Sequence, residues 1–375
     1  MSAIYFHIPV CKTRCSYCAF YSTTSKNDIN ELVNSLKLEL KNRKTFLSDP
    51  HIDTIYFGGG TPSLLSVAQI ADLIHLVKST FTLKSDAEIT LEANPDDLNR
   101  TYLQGLLDAG INRLSIGVQS FDEITLQLAN RRHKAQTATD AVELAASLGF
   151  RNMSIDLMYG FPTQTLASWI ETVKRAIELP VQHISAYDLS YEEGTALWKM
   201  RQKKQLNPHD DDTINVMHDV LVEMLHNNGF EQYEVSNFAK NGFHSRHNSS
   251  YWNGMHYLGL GPAAHSYDGR SRCWNVASLA DYIKCTNATE DCLECEILTN
   301  ADKYNEFVLL ALRTIRGVNM LELQEKFGEK YYTYCLKMSE KHLLRGNLQQ
   351  RGDFLSATNQ GFKLLNLISE DLMVE

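Results

Sequence analysis

Short runs of apolar or alternating residues recur through the first half of the chain, with longer amphipathic stretches between them. Six runs have the length and composition of β-strands: 4–8, 54–57, 88–93, 113–118, 154–159 and 183–189. Leucines line one face of the segment 28–46, and the segment 137–148 ends at Gly149, a residue that suits a helix C-cap. This alternation predicts an α/β fold whose parallel sheet curls into a partial (β/α)6 barrel.

The pattern changes twice in the second half of the chain. A helical period over 211–228 stops at Gly229, and from there to about Asn275 the sequence is rich in Tyr, His, Asn and Gly, which predicts loops. Helical patterns then return, followed by two short strand-like segments around a turn at 351–353. We expect a barrel domain, a His- and Tyr-rich connecting region and a smaller C-terminal domain with a winged-helix-like unit, at 1–229, 230–300 and 301–375.

The charge of the chain argues against several classes of partner. A net charge of −9 gives no general attraction for nucleic acid or anionic lipid. Residues 301–375 contain ten Lys and Arg and ten Asp and Glu, so the winged-helix-like unit is not expected to bind DNA. No apolar run is long enough to span a bilayer, and the N-terminus does not have the pattern of a signal peptide. We expect a cytoplasmic protein with no nucleic-acid partner.

In a parallel barrel, functional side chains collect where the strands end. Polar or reactive residues follow or occupy five of the six predicted strands in this way: the three cysteines Cys11, Cys15 and Cys18, the glycine loop at 58–61, then Glu92, Gln119 and Asp156. An ordinary barrel also carries polar residues at these positions. The types of residue therefore have to decide the chemistry.

The spacing Cys11-x3-Cys15-x2-Cys18 brings three thiols into one loop. Three thiolates can hold three corners of a 4Fe–4S cubane and leave the fourth iron without a protein ligand. Zinc sites more often repeat two closely spaced pairs, and a disulfide does not require a third cysteine. The loop therefore predicts an iron–sulfur cluster.

The other cysteines give a weaker signal. Without a secretory signal, eight cysteines suit a reducing compartment, where thiols serve as ligands and not as disulfides. Cys292-x2-Cys295 has the spacing of half a metal site, but no second close pair completes it, although Cys273 and Cys285 can join it in space. We expect no second metal and leave that alternative open.

The segments Tyr5-Phe6-His7-Ile8-Pro9-Val10-Cys11 and Tyr17-Cys18 resemble the radical S-adenosylmethionine (SAM) superfamily. Within it, nearly the whole chain resembles the group that contains the coproporphyrinogen dehydrogenases and the HemW-like heme chaperones. The resemblance implies a 4Fe–4S cluster on the three cysteines, with SAM bound to its open iron. It also implies that Tyr5 and Tyr17 touch the bound SAM.

The resemblance extends to the rest of the SAM site. It places Gly59, Gly60 and Thr61 against the amino group of SAM, and we expect Gly60→Val to crowd SAM while sparing the cluster. Glu92 ends its strand where an acidic side chain can accept hydrogen bonds from ribose. The residues matching the place where coproporphyrinogen dehydrogenases hold a second SAM are Gln119, Arg131 and Asp156. Because Arg132 is adjacent, a solvated basic patch is the alternative for Arg131.

Two features distinguish the branches of this group. The decarboxylating enzymes have a further cysteine where this chain has Phe20, and they have an extension before the cluster loop. The HemW-like chaperones share the short start and a His-Asn-x-x-Tyr-Trp motif, which is present here at residues 247–252. The resemblance therefore favours a heme-binding chaperone with a cluster and SAM. The alternatives are an oxygen-independent coproporphyrinogen III dehydrogenase, or a radical enzyme acting on RNA or another small molecule.

The motif has a chemistry that suits heme. A neutral imidazole such as His247 can ligate iron, and the rings of Tyr251 and Trp252 can stack on a porphyrin. A structural role for the histidine is the alternative, and further histidines lie nearby: His244, His256 and His265. The resemblance implies delivery of heme to an acceptor protein, with a membrane respiratory enzyme as the candidate class. Whether the chain forms a homodimer is left open.

Overall fold

The computed structural model describes residues 2–25, 28–288 and 293–374. Its first strands are β1 (Ser2–Ile8), β2 (His51–Gly59), β3 (Thr82–Ala93), β4 (Arg113–Gln119), β5 (Met153–Tyr159) and β6 (His183–Asp188). The helices of this part are α1 (Ile29–Asn42), α2 (Val67–Thr80), α3 (Arg100–Ala109), α4 (Glu123–Leu128), α5 (Ala135–Leu148), α6 (Leu166–Glu178), α7 (Ala196–Gln202) and α8 (Asp211–Asn227).

Strands β1 to β6 are neighbours in chain order, and each pairs in parallel with the next. The connections between them carry helices that pack apolar faces on the sheet, which is the partial (β/α)6 barrel predicted from the sequence. Leu32, Leu36 and Leu40 of α1 are all buried, as their spacing predicted. Gly149 ends α5 with φ 113°, a left-handed conformation that favours glycine.

The prediction of loops between residues 230 and 275 is wrong. This stretch contains β7 (Glu231–Gln232), β8 (Asn237–Ala239), α9 (Arg246–Trp252), β9 (His256–Leu260), β10 (His265–Tyr267) and β11 (Ser271–Asn275). These strands are too short to show a period in the sequence, yet β9 pairs in parallel with β1 and β8 pairs antiparallel with β6. The barrel sheet therefore continues through the stretch, and the domain boundaries at 229 and 300 stay predictions.

The sheet ends at β12 (Leu293–Ile297), preceded by α10 (Leu279–Ala288). One expectation about the cysteines is wrong here, because Cys273 of β11 and Cys295 of β12 lie opposite each other and form a disulfide. The pairing of two antiparallel strands brings together thiols that are 22 positions apart. Cys292, which we considered as a partner in a second metal site, lies outside the described residues.

The C-terminal part has a core of its own. It contains α11 (Asn300–Leu312), β13 (Val318–Asn319), α12 (Met320–Phe327), α13 (Glu329–Leu344), β14 (Leu348–Arg351), β15 (Phe354–Ala357), α14 (Asn359–Phe362) and α15 (Leu365–Leu372). Three helices against the small sheet β13–β15–β14 make the winged-helix-like unit that the sequence predicted. Among the described residues, no helix combines the length and apolarity needed to cross a bilayer.

Candidate functional site

A cavity of about 200 Å³ lies at the carboxyl ends of the barrel strands. Loops that follow successive strands supply its walls, as parallel topology requires. The cavity brings together most of the site residues predicted from the sequence: Cys11, Cys15, Cys18, Tyr17, Gly59, Gly60, Thr61, Glu92, Gln119, Arg131 and Asp156. Four predicted residues do not line it: Tyr5, His247, Tyr251 and Trp252.

The cysteine loop is held by backbone hydrogen bonds within its own segment between β1 and α1. The N–H of Cys11 donates to the carbonyl of Thr23 at 2.9 Å, and the N–H of Cys18 donates to the carbonyl of Cys15 at 3.3 Å. Burial raises the pKa of the Cys11 and Cys18 thiols. Within the described residues, no three His, Cys, Asp or Glu side chains converge as a single metal ion requires. A cubane takes its thiolates on separate irons, so three thiols facing one cavity still fit it.

The glycine loop closes over the cysteines so tightly that side chains have no room. Gly59 has φ 115°, and a Cβ on it would meet the His7 ring at 2.8 Å. A Cβ on Gly60 would lie 2.9 Å from the Sγ of Cys11. This contact argues against the expectation that a bulky residue at Gly60 spares the cluster, because Cys11 is a predicted cluster ligand.

Glu92 lies at the end of β3, between the glycine loop and the barrel interior. Its Oε1 accepts a hydrogen bond from the Tyr56 hydroxyl at 2.8 Å, and its Oε2 accepts one from the N–H of Gly59 at 3.2 Å. Burial raises the pKa of Glu92 to about 7. The carboxyl is therefore held in a fixed orientation beside the backbone that is expected to contact SAM.

The two adjacent arginines have separate environments. Arg131 donates from Nη1 to the Sγ of Cys15 at 3.3 Å and from Nη2 to the side chain of Asn94. Arg132 instead forms an ion pair with Asp96. Both arginines line the cavity, but only Arg131 contacts a cysteine, whereas the charge of Arg132 is paired with an acidic side chain. Asn94 was missed by the sequence reasoning, although its position two residues after Glu92 at a strand end was a usable signal.

Gln119 and Asp156 complete the wall made by β4 and β5. Gln119 is buried and has φ 69°, a left-handed conformation that is uncommon for a residue other than glycine. Asp156 accepts a weak hydrogen bond from the hydroxyl of Ser115 at 3.4 Å, and burial raises its pKa. Ser115, which the sequence reasoning also missed, alternates in β4 with buried apolar residues and gave no separate signal.

The sequence has two family matches and several similar relatives. The Radical SAM superfamily matches residues 5–176, and the HemN C-terminal domain matches residues 298–364. The chain is 35% identical over 331 residues to the heme chaperone HemW of Bacillus subtilis, covering 88% of this chain and 87% of that protein. The heme chaperone HemW of Lactococcus lactis is 32% identical, with 100% of this chain and 98% of that protein covered. The chain belongs to the HemW family of the radical SAM superfamily.

A solved structure confirms the fold of this HemW-family chain. Coproporphyrinogen III oxidase (HemN) from Escherichia coli superposes with a TM-score of 0.86 at 23% identity, covering 100% of this chain and 90% of that one. The superfamily implies a 4Fe–4S cluster and SAM. The cavity fits them, because it presents three thiols, a glycine cradle and the buried Nε of Arg131, which has no hydrogen-bond partner among the described residues.

The histidine of the His-Asn-x-x-Tyr-Trp motif lies inside the barrel of this HemW-family chain. His247 is 1% exposed; its Nδ1 contacts the Thr54 hydroxyl at 2.7 Å and its Nε2 the Tyr251 hydroxyl at 3.0 Å. The carboxylate of Glu88 fixes this position by accepting two N–H groups at the start of α9. Both ring nitrogens of His247 therefore have protein partners, and ligation of heme iron by His247 stays a prediction.

Tyr5 is part of the same buried cluster of rings. Its hydroxyl contacts His7 Nδ1 at 3.0 Å, and its ring lies 6.2 Å from that of His247. A Cβ on Gly58 would meet the Tyr5 ring at 2.9 Å. Tyr5 therefore supports the glycine loop from beneath, and its contact with SAM stays a prediction.

The remaining residues of the motif face another part of this HemW-family protein. Tyr251 and Trp252 line a cleft between β9–β11 and the C-terminal unit, and so does His256. His244 stacks on Tyr233 with ring centres 4.3 Å apart, and His265 is exposed on β10. The sequence reasoning thus found two lining residues of this cleft but associated them with a buried histidine.

Proposed function

We propose that this chain is a heme-binding chaperone that holds a 4Fe–4S cluster and SAM and delivers heme to an acceptor protein. The observation that carries the proposal is the continuous similarity to heme chaperones across the barrel, the motif region and the C-terminal unit. A membrane respiratory enzyme is the candidate acceptor. We place the protein in the cytoplasm.

The cavity supports the cluster and SAM part of the proposal. Cys11, Cys15 and Cys18 hold the cluster, and Arg131 keeps a positive charge beside Cys15. The glycine loop admits the SAM amino group, and Glu92 accepts from its ribose because Tyr56 and Gly59 orient the carboxyl. When bound, a reduced cluster with an open iron supplies an electron to the sulfonium of SAM.

Phe20 supports the chaperone over the decarboxylase. At this position, where the decarboxylating enzymes have a further cysteine, the ring is 73% exposed and lines the mouth of the cavity. A cubane requires only three thiolates, so Phe20 leaves the cluster intact. An exposed phenyl ring at the mouth adds neither a metal ligand nor an acid–base group that could take part in decarboxylation of a propionate.

One anaerobic experiment tests the proposal. The reconstituted full chain is incubated with hemin, and separately with coproporphyrinogen III, SAM and a reductant, and absorbance spectra and products are followed. We expect a Soret band that saturates with protein, transfer of heme to an apo-acceptor and no decarboxylated product. Turnover of the porphyrinogen, or the absence of heme binding, overturns the proposal.

A further inference from the structure

The cleft between β9–β11 and the C-terminal unit is larger than the cavity at the strand ends. Its volume is about 610 Å³, within the range of about 300–1,000 Å³ that is typical of small-molecule pockets. One wall runs from Tyr251 to Tyr257 and includes residues of β10 and β11, while α11, α12 and β15 supply the opposite wall. The cleft therefore exists only because the winged-helix-like unit packs on the barrel.

The cleft is locally positive in an acidic protein. Four cationic and two acidic side chains line it: Arg272, Lys303, Arg316, Lys326, Glu306 and Glu322. Each acid pairs with one cation, at 2.8 Å and 2.7 Å. Lys303 and Arg316 have no acidic partner within the described part of the chain. Arg316 lies over the Phe354 ring at 4.6 Å, so its guanidinium is held at the wall without an acidic partner. Two cations without acidic partners suit a ligand with two carboxylates.

Aromatic rings make up much of the remaining surface. The lining includes Trp252, Tyr257, Tyr267, Phe307, Phe327 and Phe354. The indole Nε1 of Trp252 is buried and has no hydrogen-bond partner among the described residues. Such walls suit a flat conjugated ring with polar groups at its edge.

His256 is the histidine of the cleft. Its ring lies 5.9 Å from that of Tyr267 in an edge-to-face arrangement, and across the described residues neither ring nitrogen has a hydrogen-bond partner. His247 is the opposite case, because Thr54 and Tyr251 occupy both of its nitrogens. An imidazole nitrogen that has no hydrogen-bond partner and lies in an aromatic cleft can ligate an iron.

We propose that this cleft is the heme site of the chain, where His256 would bind the iron and Lys303 and Arg316 would bind the two propionates. The assignment rests on the proposed function and adds a location to it. Tyr251 and Trp252 then serve heme as the sequence predicted. His247 acts as a positioning residue that holds the Tyr251 hydroxyl from inside the barrel.

The test titrates hemin and hemin dimethyl ester into the full chain. The control for His256→Ala is His265→Ala, which changes an exposed histidine outside the cleft. The control for the double variant Lys303→Ala/Arg316→Ala is Lys330→Ala/Lys337→Ala, which changes two exposed lysines of α13. We expect His256→Ala to shift the Soret band and weaken binding. The cleft double variant should lose about a hundredfold or more in affinity for hemin and little for the ester, because a charge-assisted hydrogen bond is lost at each of the two propionates. Both control proteins should bind hemin like the wild type.

The outcomes separate the two proposals. If the wild type binds hemin while the His256 and cleft double variants retain its spectrum and affinity, the cleft is not the site and the proposed function stands. If the wild type binds no heme, both fail. Thermal unfolding and SAM binding are measured on each variant, and the His256→Met variant, which restores a ligating side chain, should regain a Soret band distinct from that of His256→Ala.

Discussion

The cavity at the strand ends and the cleft beside the C-terminal unit are built on different principles. The cavity takes its walls from consecutive βα loops, so the order of elements along the chain already brings Cys11, Glu92 and Asp156 together. The cleft joins side chains from β9 to β15 that meet only when two units pack against each other. The sequence therefore predicts most residues of the cavity, whereas it predicts only Tyr251 and Trp252 of the cleft and gives no sign of the opposite wall.

The two sites also differ in charge and ligand chemistry. The cavity presents thiols, glycine backbone and an arginine, Arg131, that contacts Cys15, while the cleft presents aromatic walls and two cations without acidic partners among the described residues. They approach each other through the stacked rings of Tyr56 and His247, whose centres are 4.8 Å apart. The first question to test is therefore whether ligand binding at one site can be abolished while binding at the other persists.

The largest effect is expected from the cluster ligands. Cys15→Ser should abolish the 4Fe–4S absorbance and the bound iron and sulfide, because two thiolates no longer hold the cubane. Hemin binding should persist, since no cysteine of the loop lines the cleft. Iron and sulfide are assayed after anaerobic reconstitution. The control is Cys335→Ala, which changes a buried thiol of the C-terminal core. Wild-type iron content in Cys15→Ser contradicts the cluster assignment.

The second prediction separates SAM binding from cluster binding within the cavity. Glu92→Ala should weaken SAM binding by about ten- to hundredfold and keep the cluster, because one oriented acceptor is lost. Gly60→Val should impair both, because the new side chain displaces the Sγ of Cys11. Calorimetric titration of SAM and iron content report the two effects.

The exposed Glu171 on α6 provides a matched control as Glu171→Ala, which should bind SAM normally. Equal SAM affinity in Glu92→Ala and wild type removes Glu92 from the site. A full cluster content in Gly60→Val shows that the loop adapts around the added side chain.

The sequence predicted the barrel well because its strands are long apolar runs whose ends must meet. It failed between residues 230 and 275, where strands of two to five residues are defined by pairing with β1 and β6 and have no visible period. The disulfide between Cys273 and Cys295 follows from the same strand pairing. The burial of His247 was not predicted, because the motif does not reveal that Glu88, on a distant strand, accepts the N–H groups at the start of α9 and holds it in the barrel.

The third prediction concerns His247, the buried histidine that contrasts with His256 of the cleft. His247→Ala should lower the free energy of unfolding by about 2–4 kcal/mol, because the buried Thr54 and Tyr251 hydroxyls lose their partner. Any heme that the variant binds should keep the wild-type Soret position. Denaturant unfolding and heme spectra are compared with His265→Ala, which should stay within about 0.5 kcal/mol of wild type. A Soret shift in His247→Ala at unchanged stability would restore His247 as an iron ligand.

The smallest expected effect is a pH dependence that originates in the cavity. Burial raises the pKa of Glu92 from its usual value near 4.5 to about 7, so the folded chain keeps a proton that the unfolded chain releases. The contribution of this carboxyl to stability is therefore present below about pH 4.5 and is lost as the pH rises toward 7. Glu92→Gln, which is neutral throughout, should gain stability relative to wild type between pH 5 and pH 8. Urea unfolding of the cluster-free proteins measures this difference, and Glu171→Gln is the exposed control. Parallel plots of stability against pH for Glu92→Gln and wild type would mean that Glu92 ionises in the folded chain as it does in water.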